Sequence, residues 1–179
     1  MQITYGKGFE NLAPAAMNNP AKVNFRQKIL QAQHEMQSMI AEGIAVDASQ
    51  DCTLKHHYTP VHEEYGCTNY AREIFLPKGS IVIGKIHRHE HLNFIMQGRV
   101  TVTTEHGKKT IEAPAVFVSE VGLKRAVHAE EDTIWVTVHM TKHAGEAQLD
   151  KAEDELIAPS YEDMGLIGDL TEKVMLWHG

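Results

Sequence analysis

Twelve histidines stand among the 179 residues of this chain, and five of them fall between His87 and His128. The densest run is Ile86-His87-Arg88-His89-Glu90-His91-Leu92-Asn93-Phe94-Ile95. Side chains alternate between the two faces of a strand, so an extended run places His87, His89 and His91 on one face, continued by Asn93 and Ile95. Neutral imidazoles in that arrangement suit a divalent transition metal and leave coordination positions for water or a ligand. The other reading of the same spacing is a solvated, partly charged strand edge. Strong apolar residues on both flanks favour a buried floor. A buried histidine row without metal would need several hydrogen-bond partners, and mutual repulsion would oppose its protonation. Metal ligation meets both demands.

Three zones must position these residues. In the first, residues 1–50, Asn18-Asn19-Pro20 supplies a helix N-cap and an early-helix proline,. Val23, Ile29, Leu30, Met36, Met39 and Ile40 then recur near helical spacing, giving one apolar face that Gly43 ends,. The second zone, 51–142, carries short strand patterns separated by turn residues. Among them are Tyr70–Leu76, Ser80–Ile86, Arg99–Glu105, Lys109–Ala113, Ala115–Ser119 and Thr133–Met140,. Six to eight strands at about ten-residue spacing predict a sandwich or barrel. The third zone, 143–179, is acidic. It contains a short helix near Gln148–Ile157, stopped by Pro159, and an apolar tail at Trp177 expected to pack on the barrel or a neighbouring subunit,.

The formal charge of −7 disfavours a nonspecific grip on nucleic acid or anionic lipid,. No stretch approaches the roughly 18 apolar residues of a membrane helix. The first residues lack a signal-peptide layout, so a soluble cytoplasmic protein is expected. Cys52 and Cys67, the two cysteines, lack metal-finger or redox-motif spacing and read as free thiols,. His56-His57-Tyr58 and His62-Glu63-Glu64 read as surface-loop or barrel-mouth residues. Glycine-rich phosphate loops and nucleophile-elbow signatures are absent.

The run from His87 to Gly98 resembles the first motif of the cupin superfamily, in which paired His-x-His residues precede a glutamate and a closing glycine. His87 and His89 match the histidines and Gly98 the glycine, while His91 stands where counting back from Gly98 puts the glutamate. In the second motif Gly122 is present, Glu120 replaces a proline, and Arg125 stands where the metal-binding histidine belongs. His128, three residues on, or His139 on the last strand is then the candidate fourth ligand. The resemblance implies an all-β cupin-type barrel or jelly roll, with an N-terminal helix and short C-terminal helices. It also implies one divalent transition metal (Zn, Fe, Mn or Ni) held by His87, His89, His91 and His128.

Asn93, Arg125 and His139 are the candidate ligand-binding residues. An inward Arg125 would suit a carboxylate or phosphate; an exposed one would pair with Glu120 or Glu130. The implied function is a metal-binding cupin acting on a small polar or anionic molecule, with dioxygenase, lyase or isomerase chemistry all open on this fold. The N-terminal helix, the histidine strand and the acidic tail also resemble small cupin-like proteins of bacteriophages. That likeness implies the alternative of a non-catalytic assembly component in the host cytoplasm or virion. Self-association into a homodimer is expected on either reading.

Overall fold

The computed structural model describes residues 19–166. The predicted tail contact through Trp177 lies outside them.

Helix α1 spans Pro20–Ala41, and the Asn19 side chain accepts hydrogen bonds from the backbone N–H of Ala21 and Lys22 at its start. Its predicted apolar face docks only through the first half. There Arg26 and Ile29 are buried, and Phe25 and Leu30 pack beside Ile86, Ala158, Tyr161 and Leu166. Met39 and Ile40, one turn from its end, stay 42% and 38% exposed. Arg26 anchors the docked half. Its Nε and one terminal nitrogen donate to the two carboxylate oxygens of Glu105, at 2.8 and 3.1 Å, a bidentate geometry among the stronger protein contacts,.

Among the described residues eleven strands follow: β1 Thr53–Tyr58, β2 Thr68–Leu76, β3 Ile81–Ile83, β4 Ile86–His87, β5 His91–Gln97, β6 Arg99–Thr104, β7 Gly107–Glu112, β8 Ala115–Ser119, β9 Ala126–Ala129, β10 Thr133–Thr141 and β11 Ile157–Ala158. Helix α2, Leu149–Leu156, lies between the last two. One sheet has the order β1-β2-β10-β5-β8 and a second β3-β9-β6-β7, all antiparallel. Setting aside β1 and the small β4–β11 ribbon, the pairings nest: β6 with β7, β5 with β8, β3 with β9, β2 with β10. Such nesting is one long hairpin rolled into two sheets, which is the jelly-roll architecture.

Alternation on the strands fills the space between the sheets with Leu76, Ile95, Val100, Val102, Val127, Ala129 and Trp135,. At the β5–β6 turn Gly98 adopts φ +84°, and a Cβ there would lie 2.4 Å from the Asp132 carbonyl oxygen. Only glycine fits that combination. The β4–β11 ribbon pairs Ile157 with His87 and Ala158 with Ile86, so the segment after residue 143 adds a strand to the barrel's end. Cys52 and Cys67 form no disulfide.

Candidate metal centre

Three neighbouring strands of the larger sheet build the floor of the site. Their register sets Tyr70, Arg72 and Ile74 of β2 against His139, Thr137 and Trp135 of β10. Thr137 and Trp135 in turn lie against Asn93 and Ile95 of β5. Period-two alternation therefore gathers His139, two residues beyond Thr137, and His91, two before Asn93, at one end of the barrel. His87 arrives from the ribbon. Its backbone pairs with Ile157, and its carbonyl accepts from the Gly122 N–H at 2.8 Å.

The three imidazoles converge. Each offers a ring nitrogen, and those nitrogens all lie within 4.8 Å of one another. Ring centroids are 4.2 Å apart for His87 and His91, 4.5 Å for His91 and His139, and 5.0 Å for His87 and His139. The Nδ1 of His91 is 3.3 Å from the His89 carbonyl oxygen. A carbonyl only accepts, so Nδ1 carries the ring proton and Nε2 keeps its lone pair. That Nε2 and the Nδ1 of His87 are buried without a hydrogen-bond partner among the described residues. Two orphaned imidazole nitrogens aimed at a third ring fit a divalent transition metal by donor type and spacing.

Electrostatics point the same way. Burial, reinforced by the neighbouring imidazoles and by Arg125 and Arg72, lowers the pKa of His87 to about 2. His139 falls to about 3, chiefly through burial, then through His91 and Arg72. His91 falls to about 4 through burial, partly opposed by its bond to the His89 carbonyl. All three are neutral at ordinary pH. Each therefore has a lone pair to give.

The alignment expected of His87, His89 and His91 needs correction. The strand ends at His87, bends through Arg88 and His89, and restarts at His91. Alternation is lost across the bend, so His87 and His91 turn inward and the His89 side chain is exposed. His128 also stays outside the cluster, exposed on β9 opposite Ile81 and Thr101. The residue that joins His87 and His91 is His139, and the alternation Trp135, Thr137, His139 along β10 is the sequence signal for it. His56 and His57 sit on β1 and not in a loop. His56 Nδ1 lies 2.7 Å from the Tyr70 hydroxyl, and the Tyr70 ring stands 6.2 Å from that of His139.

A cavity of about 230 Å³ opens beside the triad. Its polar wall comprises Arg72, Lys85, His87, His91, Asn93 and Arg125; Ile74, Leu76, Val82, Val127 and Trp135 form the apolar side. None of the described residues that line it is acidic. Asn93 is fully buried. Its Oδ1 accepts from Trp135 Nε1 at 3.0 Å and from an Arg125 terminal nitrogen at 3.3 Å, while its amide donates to Ser119 Oγ at 2.8 Å. The other Arg125 terminal nitrogen donates to the same Ser119 hydroxyl, and the guanidinium lies 5.3 Å from the Trp135 ring centroid. Arg125 thus points inward. Sequence reasoning did not single out Lys85, Trp135 or Thr137, which line the cavity, or Ser119, which holds Arg125 beside it.

No family model and no curated protein matches the chain. Solved structures similar to it include KdgF from Halomonas sp., at 17% identity over 50% of this chain and 90% of that one, with a TM-score of 0.36. Ectoine synthase from P. lautus shares 12% identity over 57% and 72%, TM-score 0.43. A cupin 2 conserved barrel domain protein from Salinispora arenicola shares 15% over 56% and 83%, TM-score 0.38. By its own nested strand order the chain is a double-sheet jelly roll, the architecture to which cupins belong,.

Proposed function

We propose that this protein is a divergent cupin that binds one divalent transition metal through His87, His91 and His139 and admits a small polar or anionic molecule to the adjoining cavity. The observation that carries this reading is the convergence of three neutral imidazoles, His91 and His139 buried and His87 half-buried, two of them with orphaned ring nitrogens. Zn, Fe, Mn and Ni all accept such a donor set. A metal held by three imidazoles supplies a Lewis acid with positions left for a ligand oxygen. The chain's own contribution is the rest: Arg125, Arg72 and Lys85 favour negative charge, and the apolar wall limits water. Among the described residues the cavity lining has no carboxylate base, which favours a second reading of a non-catalytic binding or assembly role.

Elemental analysis of untagged protein is expected to return about one metal per chain. His139→Ala should abolish it, whereas His89→Ala, whose side chain points outward, should retain it. Metal-free wild type that takes up none of the four ions would contradict the proposal.

We further propose that copies of the chain associate. Strand β8 is the edge of its sheet, and its exposed Val116 and Val118 lie beside exposed Leu92 of β5,. Light scattering should give a mass above that of one chain, reduced to it by Val118→Lys; a single-chain mass for wild type would reject this.

A further inference from the structure

Arg125 is the one cation lining the cavity with no acidic partner among the described residues. Lys85 Nζ pairs with Glu153 at 2.8 Å, and Arg72 lies 4.0 Å from the same carboxylate. The Arg125 side chain, in a residue only 8% exposed, meets the Asn93 amide oxygen, the Ser119 hydroxyl and the face of Trp135, all neutral. Burying a guanidinium against neutral groups alone is costly, because removing it from water is not offset by an opposite charge. The same three groups hold the planar fork in one orientation, while its remaining N–H donors meet no acceptor among the described residues,.

Position says what this fixed cation faces. Asn93 follows His91 by two residues on one strand face, a rise of roughly 7 Å. Ser119 is the cross-strand partner of His91 itself. Arg125 is therefore tied to the two residues that flank His91, and the cavity runs between guanidinium and imidazoles. At about 230 Å³ it is smaller than the pockets that take drug-sized ligands,. A planar fork over an aromatic face, in a mostly apolar chamber, matches a flat carboxylate better than a tetrahedral phosphate, which needs more donors.

We infer that Arg125, positioned by Asn93, Ser119 and Trp135, is the seat for the carboxylate of a short organic acid whose second oxygen donor reaches the His87/His91/His139 centre. This rests on the metal reading above for the far end of the ligand. The carboxylate end stands on Arg125 alone.

The test uses the full chain, metal-loaded and chelated, titrated with succinate, malonate and inorganic phosphate by calorimetry and thermal melting, with metal content measured in parallel. Either dicarboxylate should bind and raise the melting temperature. Arg125→Met should weaken that binding at least about tenfold with metal content unchanged. Its ligand-free melting temperature should equal or exceed that of wild type, because an uncompensated buried charge has gone; a merely structural arginine would lower it. If Arg125→Met does not fold, Arg125→Lys keeps the charge and removes the fork, and the same tenfold loss is expected. Dicarboxylate binding unchanged in the variant that folds, phosphate binding without carboxylate binding, or no anion binding at all would overturn the inference. Wild type without metal but with Arg125-dependent succinate binding would remove the metal reading and leave the carboxylate seat. Full metal content with Arg125-independent succinate binding would do the reverse.

Discussion

At the scale of the residue, the three imidazoles are held neutral by burial and by one another, and that has a consequence for stability. Their folded pKa values of about 2, 3 and 4 lie below the ordinary histidine value of 6.5. Between those values and 6.5 the unfolded chain binds more protons than the folded one, so folding stability is full above about pH 6.5 and falls as the pH drops below it. Chelated protein should accordingly melt at a lower temperature at pH 5 than at pH 7.5. Replacing His87, His91 and His139 by Gln should flatten that slope; an unchanged slope would show that other groups cause it. The residue types were legible in the sequence, since a histidine run beside Asn93 announces ligating chemistry. Which histidines meet was not. Period-two counting counts His89 in, and the bend that excludes it depends on β4 pairing with Ile157, some seventy positions later.

At the scale of the element, the turns decide the geometry. The strand patterns from Tyr70 to Thr141 were readable from alternation and turn residues. Register was not, because Cα pairings such as Thr137 with Asn93 join segments far apart in sequence,. Gly98 shows how tightly one turn is held. Its φ of +84° and the 2.4 Å approach to Asp132 mean that Gly98→Ala forces both a strained backbone and a displaced β9–β10 connection. A loss of more than about 2 kcal/mol is expected, or roughly 4–8 °C in melting temperature. A thermal melt within one degree of wild type would show that the turn rearranges freely. The bend at Arg88-His89 is fixed more lightly, by the Arg88 N–H donating to the Leu156 carbonyl at 2.8 Å and its Nε to the Ile157 carbonyl at 3.1 Å.

At the scale of the molecule, a jelly roll provides the rigid floor, and two additions complete it: helix α1 at one side and the α2–β11 segment beneath the histidines. The N-terminal helix was legible from its cap and period. Its attachment was only half legible, since a buried arginine joins Ile29, Phe25 and Leu30 of the apolar stripe in fastening it. The Arg26 and Glu105 side chains are 2% and 5% exposed, so Arg26→Ala leaves a buried carboxylate with Lys22 as its one basic partner among the described residues. The expected cost is about 3 kcal/mol. Hydrogen exchange should report it as faster opening of residues 20–41 with the barrel strands still protected; protection unchanged in the helix would contradict this docking. Among the described residues no helix is long and apolar enough to cross a membrane.

The central claim is that His87, His91 and His139 are joint ligands of one metal, and anomalous diffraction from crystals grown with the metal that the protein retains tests it most directly. The account predicts a single anomalous peak enclosed by the three ring nitrogens, with the His89 and His128 side chains turned away from it. A peak at any other residues, or none at the triad in protein shown to contain metal, would contradict it.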